Sequence, residues 1–107
     1  MANIKDWLLS FEKNINETIE SIVVGPHYND RWNEPDRRPE HQRDVPISRD
    51  EGLALVNIEF DNGYGGADCF PVYAWTPNFI FAISEYDGAT GYHTIPRNPV
   101  ASEPEFM

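Results

Sequence analysis

The chain has 107 residues, 40% of them hydrophobic, and its 18 acidic and eight basic side chains give a net charge of −10. This length predicts a single domain over residues 1–107. So negative a field disfavours direct contact with nucleic acid or acidic membranes. The lone Cys69 excludes an internal disulfide, and no run of ~18 apolar residues predicts a membrane span. With no secretory leader apparent, we expect a cytoplasmic protein.

The charge is distributed unevenly along the chain. Residues 1–49 hold nine acids and seven bases, for a net charge of −2, whereas residues 50–107 hold nine acids and only Arg97, for a net charge of −8. The second half also carries most of the aromatic residues. This asymmetry favours a surface that attracts a basic partner. The alternative is an acidic surface that only keeps the protein soluble.

The N-terminal segment has helical periodicity, which predicts a long amphipathic helix. Asn3 is a suitable N-cap for this helix. Gly25 and Pro26 end the regular structure that follows it. The β-branched residues 22–24 are also compatible with an extended chain. The apolar face is expected to pack on the core, with a partner-binding helix as the alternative. The apolar residues, three or four positions apart, are Ile4, Leu8, Phe11, Ile15, Ile19 and Ile22.

Residues 25–47 are rich in proline, arginine and acids, and they contain almost no aliphatic side chains. The pattern has neither helix nor strand period and predicts a long loop. Tyr28 and Trp32 are expected to hold this loop against the core. Its interleaved charges predict local ion pairs rather than a nucleic-acid-binding patch.

The remaining chain predicts one short helix followed by strands. Ser48 and Glu51 form a capping box, which predicts a helix over 49–57 weakened by Gly52. Strands are predicted at 70–75, 79–84 and 92–95, with 58–60 as a possible fourth strand and a frayed tail at 101–107. The predicted fold is therefore α+β, with a long N-terminal helix and a short second helix packed on a three- to four-stranded antiparallel sheet.

The C-terminal half carries a resemblance. The run GYGGADCFPVYAWTPNFIFAISEYDG, followed by IPRNP, is similar to segments of short uncharacterised phage proteins, mainly through YDG at 86–88 and PRNP at 96–99. The resemblance covers about the last half of the chain and implies a mobile-element context. It assigns no functional residues.

No motif assembles a catalytic or metal site. The stretch from Asp61 lacks the spacing of a calcium loop, since its twelfth position is Val72 rather than glutamate. A phosphate loop is excluded because no lysine follows Lys13, so GYGG is interpreted as a turn. Cys69 and His93 are a candidate nucleophile–base pair, but Asp68 beside the thiol raises the pKa of Cys69. We therefore predict no enzyme activity, no metal and no cofactor.

Acids and aromatics are interleaved in the second half, and together they predict a protein-binding surface. We predict a phage-type inhibitor that masks a basic surface on a host defence or nucleic-acid-processing protein, with a homodimer left open. One alternative is an oligomer that sequesters an anionic small molecule with Arg31, Arg37, Arg38, Arg43 or Arg97, and another is a small enzyme that uses Cys69 and His93. The predicted partner-binding residues are Glu59, Asp61, Tyr64, Asp68, Trp75, Glu85, Tyr86 and Asp87.

Overall fold

The computed structural model describes residues 1–27, 30, 35–63, 67–86 and 89–104, without the side chain of Tyr86. Across these residues two α-helices pack on antiparallel sheets, which confirms the predicted α+β class. A 3₁₀ turn at Glu40–Gln42 precedes the second helix. In chain order the elements are β1 (Ala2–Asn3), α1 (Ile4–Ile15), β2 (Ser21–Val24), α2 (Arg49–Leu55), β3 (Glu59–Phe60), β4 (Val72–Trp75), β5 (Phe79–Tyr86) and β6 (Ala89–Pro96).

The main sheet has four antiparallel strands in the order β2-β4-β5-β6. Its last three strands form the predicted meander. Isolated bridges from Ile47 to Ile22 and from Arg43 to Val24 cover the outer edge of β2. The opposite edge of the sheet is β6.

The N-terminal helix is shorter than predicted. It ends at Ile15 because Asn16 takes a left-handed conformation, with φ of 54°, and its N–H donates to the Glu12 carbonyl. Ile19 and Ile22 remain buried, but Ile19 lies in the connecting segment and Ile22 in β2. The continuous helical spacing through residue 22 was therefore misleading, because the core-facing positions of a turn and a strand happened to follow the same interval.

The predicted fourth strand pairs elsewhere. Residues 59 and 60 form β3, which pairs with β1 in a separate two-stranded sheet. The fourth strand of the main sheet is β2, which pairs with β4. The β-branched run at 22–24 supplies this strand, because such side chains suit a pleated, half-buried surface.

Helix α1 covers one face of the main sheet, as its apolar stripe predicted. Phe11 packs against Phe81 of β5, with ring centroids 5.5 Å apart. Trp7 contacts Phe60 of β3 and Tyr92 of β6 at 5.4 and 5.6 Å. The stripe therefore forms part of the core and does not present a free partner-binding face.

Helix α2 begins with the predicted cap. The Ser48 hydroxyl accepts the Glu51 N–H at 3.2 Å and donates to the Glu51 carboxylate at 3.0 Å. Gly52 allows α2 to approach β2, since a Cβ there would lie 2.6 Å from Ile22 Cδ1. Neither α1 nor α2 is long and apolar enough to cross a bilayer.

Arg38 fixes the described part of the proline-rich segment against β2. Its side chain is only 3% exposed, and its guanidinium donates to the Val24 carbonyl and to Asp44 at 2.8 Å. A second arm of the guanidinium donates to Asp36 at 2.7 Å. Tyr28 and Trp32, which we expected to anchor the loop, lie outside the described residues.

Candidate functional site

A shallow cavity of about 250 Å³ lies where the segment entering β4 passes the far end of β5. We call it the acidic hollow. Its walls are apolar apart from Ser84 and the carboxylate of Glu85. Asp68 lies between the lining residues Ala67 and Cys69 in the sequence. The lining residues are Pro26, Ala67, Cys69, Pro71, Ile83, Ser84 and Glu85.

The two prolines of the hollow are brought together by a close backbone approach. Gly25 donates its N–H to the Pro71 carbonyl at 2.8 Å, which extends the contact between β2 and β4 by one residue. A Cβ on Gly25 would lie 2.7 Å from Pro71 Cγ, so a larger residue would push the segments apart. Gly25 therefore sets the position of Pro26 and Pro71 in the apolar wall.

Cys69 lines this wall as a protonated thiol. Burial, followed by the nearby charges of Asp68 and Glu85, raises its pKa to about 11. A thiol with this pKa carries almost no thiolate at neutral pH and is a weak nucleophile. His93, the candidate base for Cys69, faces Ala82 across the β5–β6 pair. The histidine that shares a small cavity with Cys69 is His27.

Asp68 precedes Cys69, which lines the hollow. Its side chain is 53% exposed, and its one ion-pair contact among the described residues is with His27 at 3.9 Å. Burial, followed by the charge of Arg37, lowers the pKa of His27 against the opposing effects of Asp30 and Asp68. The lowered pKa favours the neutral imidazole at pH 7, so His27 itself adds little positive charge beside Asp68.

The fold brings the other described acids of the prediction to the same end. The Thr90 N–H donates to the Asn62 carbonyl at 3.0 Å, and Thr90 faces Glu85 across the hairpin. Asp61 therefore lies beside the end of the β5–β6 hairpin, and Glu59 precedes it by two residues. We call Glu59, Asp61, Asp68 and Glu85 the acidic end.

Among the described residues, no arginine or lysine lies within 4 Å of a carboxylate of the acidic end. Each described arginine, by contrast, is paired with a carboxylate. Arg37 binds Asp30, and Arg38 binds Asp36 and Asp44. The remaining described arginine pairs are Arg43 with Asp36, Arg49 with Glu12 and Asp50, and Arg97 with Glu20.

This pairing bears on the alternative of an anionic ligand. The described arginines named for that role are Arg37, Arg38, Arg43 and Arg97, and each already contacts a carboxylate. Arg31 lies outside the described residues. A small anion would therefore share each of these four guanidinium groups with a carboxylate that is already in contact with it.

The predicted aromatic residues are placed differently from the acids. Trp75 faces Ile80 of β5, and Ile80 lies five positions before Glu85. Trp75 is therefore about 17 Å from Glu85 along the strand direction. Tyr64, Asp87 and the Tyr86 side chain lie outside the described residues. The structure instead places Tyr73 near the hollow.

Tyr73 is 56% exposed and lines a second cavity of about 280 Å³, which shares Pro26, Pro71 and Ile83 with the acidic hollow. Its ring contacts Trp75 edge-on at 6.0 Å. Side chains alternate along β4, so Tyr73 points away from the face on which Val72 and Ala74 are buried. This alternation is the sequence signal that indicates the exposure of Tyr73.

No three histidine, cysteine or acidic side chains within the described ranges form a group that could hold a metal ion.

No protein-family model, curated protein or solved structure matches the chain. The resemblance to short phage proteins therefore stays a prediction.

Proposed function

We propose that the protein is a phage-type accessory protein without catalytic activity that covers a basic surface on a host defence or nucleic-acid-processing protein. The observation that carries this proposal is the segregation of charge. The described arginines are paired with carboxylates, whereas Asp61, Asp68 and Glu85 share one end with no arginine or lysine partner within the described residues. Such an end attracts a cationic surface that otherwise binds nucleic acid.

The acidic hollow supports recognition of a lysine or arginine side chain. These side chains bury an aliphatic stem while keeping the charged head at a polar rim. Pro26, Pro71 and Ile83 offer the apolar wall, and Glu85 offers a carboxylate within the same cavity. Asp68 adds a second, half-exposed charge next to Cys69. A carboxylate and an apolar wall together suit a basic side chain better than a purely apolar one.

Tyr73 supports the same surface as an anchor. Exposed tyrosines contribute disproportionately to binding energy in protein interfaces. The cavity that Tyr73 lines shares Pro26, Pro71 and Ile83 with the acidic hollow. We therefore place the contact surface across the acidic hollow and Tyr73.

Affinity capture from host extract tests the proposal with two matched variants. Asp68→Asn with Glu85→Gln removes two charges from the acidic end. Glu40→Gln with Asp50→Asn removes the same net charge from two exposed positions elsewhere. We expect the wild type and the second variant to retain a basic host protein, and the first variant to lose it.

The captured protein is then assayed for nucleic-acid binding with and without the wild-type chain. We expect inhibition that weakens as salt rises, because screening reduces the attraction between exposed charges. Equal capture by both variants, or an affinity that is flat between low and moderate salt, would contradict the proposal.

A further inference from the structure

The outer edge of β6 has an identifiable register. The Thr90 N–H points away from β5, since it donates to the Asn62 carbonyl, whereas the Arg97 N–H donates to Asn78 on the β5 side. Backbone groups alternate in direction along an antiparallel strand. Tyr92 and Thr94 therefore direct their N–H and C=O groups outward. Pro96 also faces outward, but it offers only a carbonyl because proline has no N–H.

Within the described residues, no backbone group hydrogen-bonds to the outward groups of Tyr92 or Thr94. The other edge of the sheet, β2, is covered by bridges to Arg43 and Ile47. β6 is eight residues long and contains no lysine, arginine, aspartate or glutamate. Proteins usually protect such an edge with charges, a short strand or a covering segment.

Acids without a basic partner among the described residues flank this edge at both ends. Asp61 and Glu85 lie beside its start, through the contacts of Thr90 with Asn62 and Glu85. Glu103 shares a cavity of about 510 Å³ with the residues at the end of the strand, which include His93 and Ile95. The nearby Arg97 is held by Glu20 and the Thr76 carbonyl. The edge is thus an uncharged hydrogen-bonding row between two negative ends.

We propose that an extended basic segment of the partner adds to β6 as a fifth strand, with its main chain paired to Tyr92 and Thr94. This inference rests on the proposed function and adds the mode of recognition. The start and end of the edge, Thr90 and Ile95, are five positions apart, or about 17 Å. The segment therefore carries lysine or arginine about five residues apart, with β-forming residues between them.

A second copy of the chain fits this edge less well. Antiparallel self-pairing of β6 would bring Asp61 and Glu85 of one chain next to Glu103 of the other. Each chain also carries a net charge of −10. Like charges across an interface oppose association, so the basic segment is the occupant that the charges favour.

The test uses a fluorescent peptide, Lys-Thr-Val-Thr-Val-Lys, titrated at low salt and followed by anisotropy. One control peptide replaces each valine with proline, which removes main-chain donors. A second control replaces both lysines with glutamate. We expect only the first peptide to bind, and we expect hydrogen exchange of the Tyr92 and Thr94 amides to slow when it does.

Two variants of the protein complete the test. Thr94→Pro removes an outward N–H at an edge position where proline is tolerated, and we expect about tenfold weaker binding. Thr94→Val keeps that N–H, so its affinity should stay within about twofold of the wild type. The proline control peptide keeps the test informative if the Thr94→Pro chain does not fold.

Equal binding of the proline peptide and the original peptide would overturn strand addition while leaving the proposed function in place. Binding of the glutamate peptide as tight as that of the lysine peptide would count against both. Dimerisation of the protein alone, abolished by Thr94→Pro, would assign the edge to a second copy and overturn the proposal.

Discussion

Two regions of this molecule use carboxylates in opposite ways. In the segment from residue 36 to residue 49, carboxylates surround arginines, and Arg38 is buried between Asp36 and Asp44. The hydrogen bonds of Arg38 lower the pKa of Asp36 to about 2. At the acidic end, burial, followed by the charges of Asp68 and Glu85, raises the pKa of the Cys69 thiol instead.

The difference separates structural charge from charge that is available for recognition. A paired and partly buried carboxylate holds a loop in place and contributes little to the outer field. Unpaired carboxylates at one end leave their field directed at solvent, where it can attract a partner. A net charge of −10 alone does not distinguish these two uses.

Removing Arg38 should give the largest loss of stability. Arg38→Met removes the guanidinium that donates to the Val24 carbonyl and to the carboxylates of Asp36 and Asp44. We expect the free energy of unfolding to fall by about 3 kcal/mol, measured by urea denaturation. Arg97→Met is the control, because its guanidinium and its partner Glu20 are both about half exposed, and such a pair should contribute at most about 1 kcal/mol. Similar losses for both variants would contradict the structural role of the buried pair.

Alkaline pH should produce a smaller effect, confined to the acidic end. The folded state raises the pKa of Cys69 from 9.0 to about 11, so the unfolded chain releases this proton first as pH rises. The protonated Cys69 thiol therefore makes its full contribution to the free energy of unfolding below about pH 9. This contribution is lost as the pH rises through about 11. Urea denaturation between pH 8 and pH 11 should show that the free energy of unfolding falls in the wild type and falls less in Cys69→Ala. Identical pH profiles for the two proteins would contradict this role of Cys69.

Neutralising the acidic end should have the smallest effect on stability. Asp68→Asn with Glu85→Gln breaks no arginine or lysine pair among the described residues. We expect the free energy of unfolding to change by no more than about 0.5 kcal/mol. The same variant should bring the Cys69 pKa closer to 9.0 while burial still holds it above that value. A stability loss comparable to that of Arg38→Met would show that these carboxylates are structural.

Local signals in the sequence predicted much of the fold. The caps at Asn3 and Ser48 and the strands of the meander follow from side chains that act on nearby backbone. The end of α1 was missed because Asn16 stops the helix, while Ile19 and Ile22 continue its apolar spacing. The spacing of buried positions could not reveal that the chain had already turned into a strand.

The site was only partly predictable for a similar reason. Interleaved signs in the proline-rich segment predicted local ion pairs, and the described arginine contacts there confirm them. The grouping of Asp61 with Glu85 depends on the hydrogen bond between Thr90 and Asn62, which joins distant parts of the chain. The acidic hollow likewise depends on the close approach of Gly25 to Pro71. Neither contact has a local sequence signature.

The most direct test of the charge segregation is an amide NMR titration of the ¹⁵N-labelled protein with octa-lysine. The account predicts that the largest shifts map to residues 59–63, 67–69 and 85, with residues 36–49 nearly unchanged until the acidic end is saturated. Shifts that are largest at residues 36–49, or uniform over all exposed carboxylates, would contradict it.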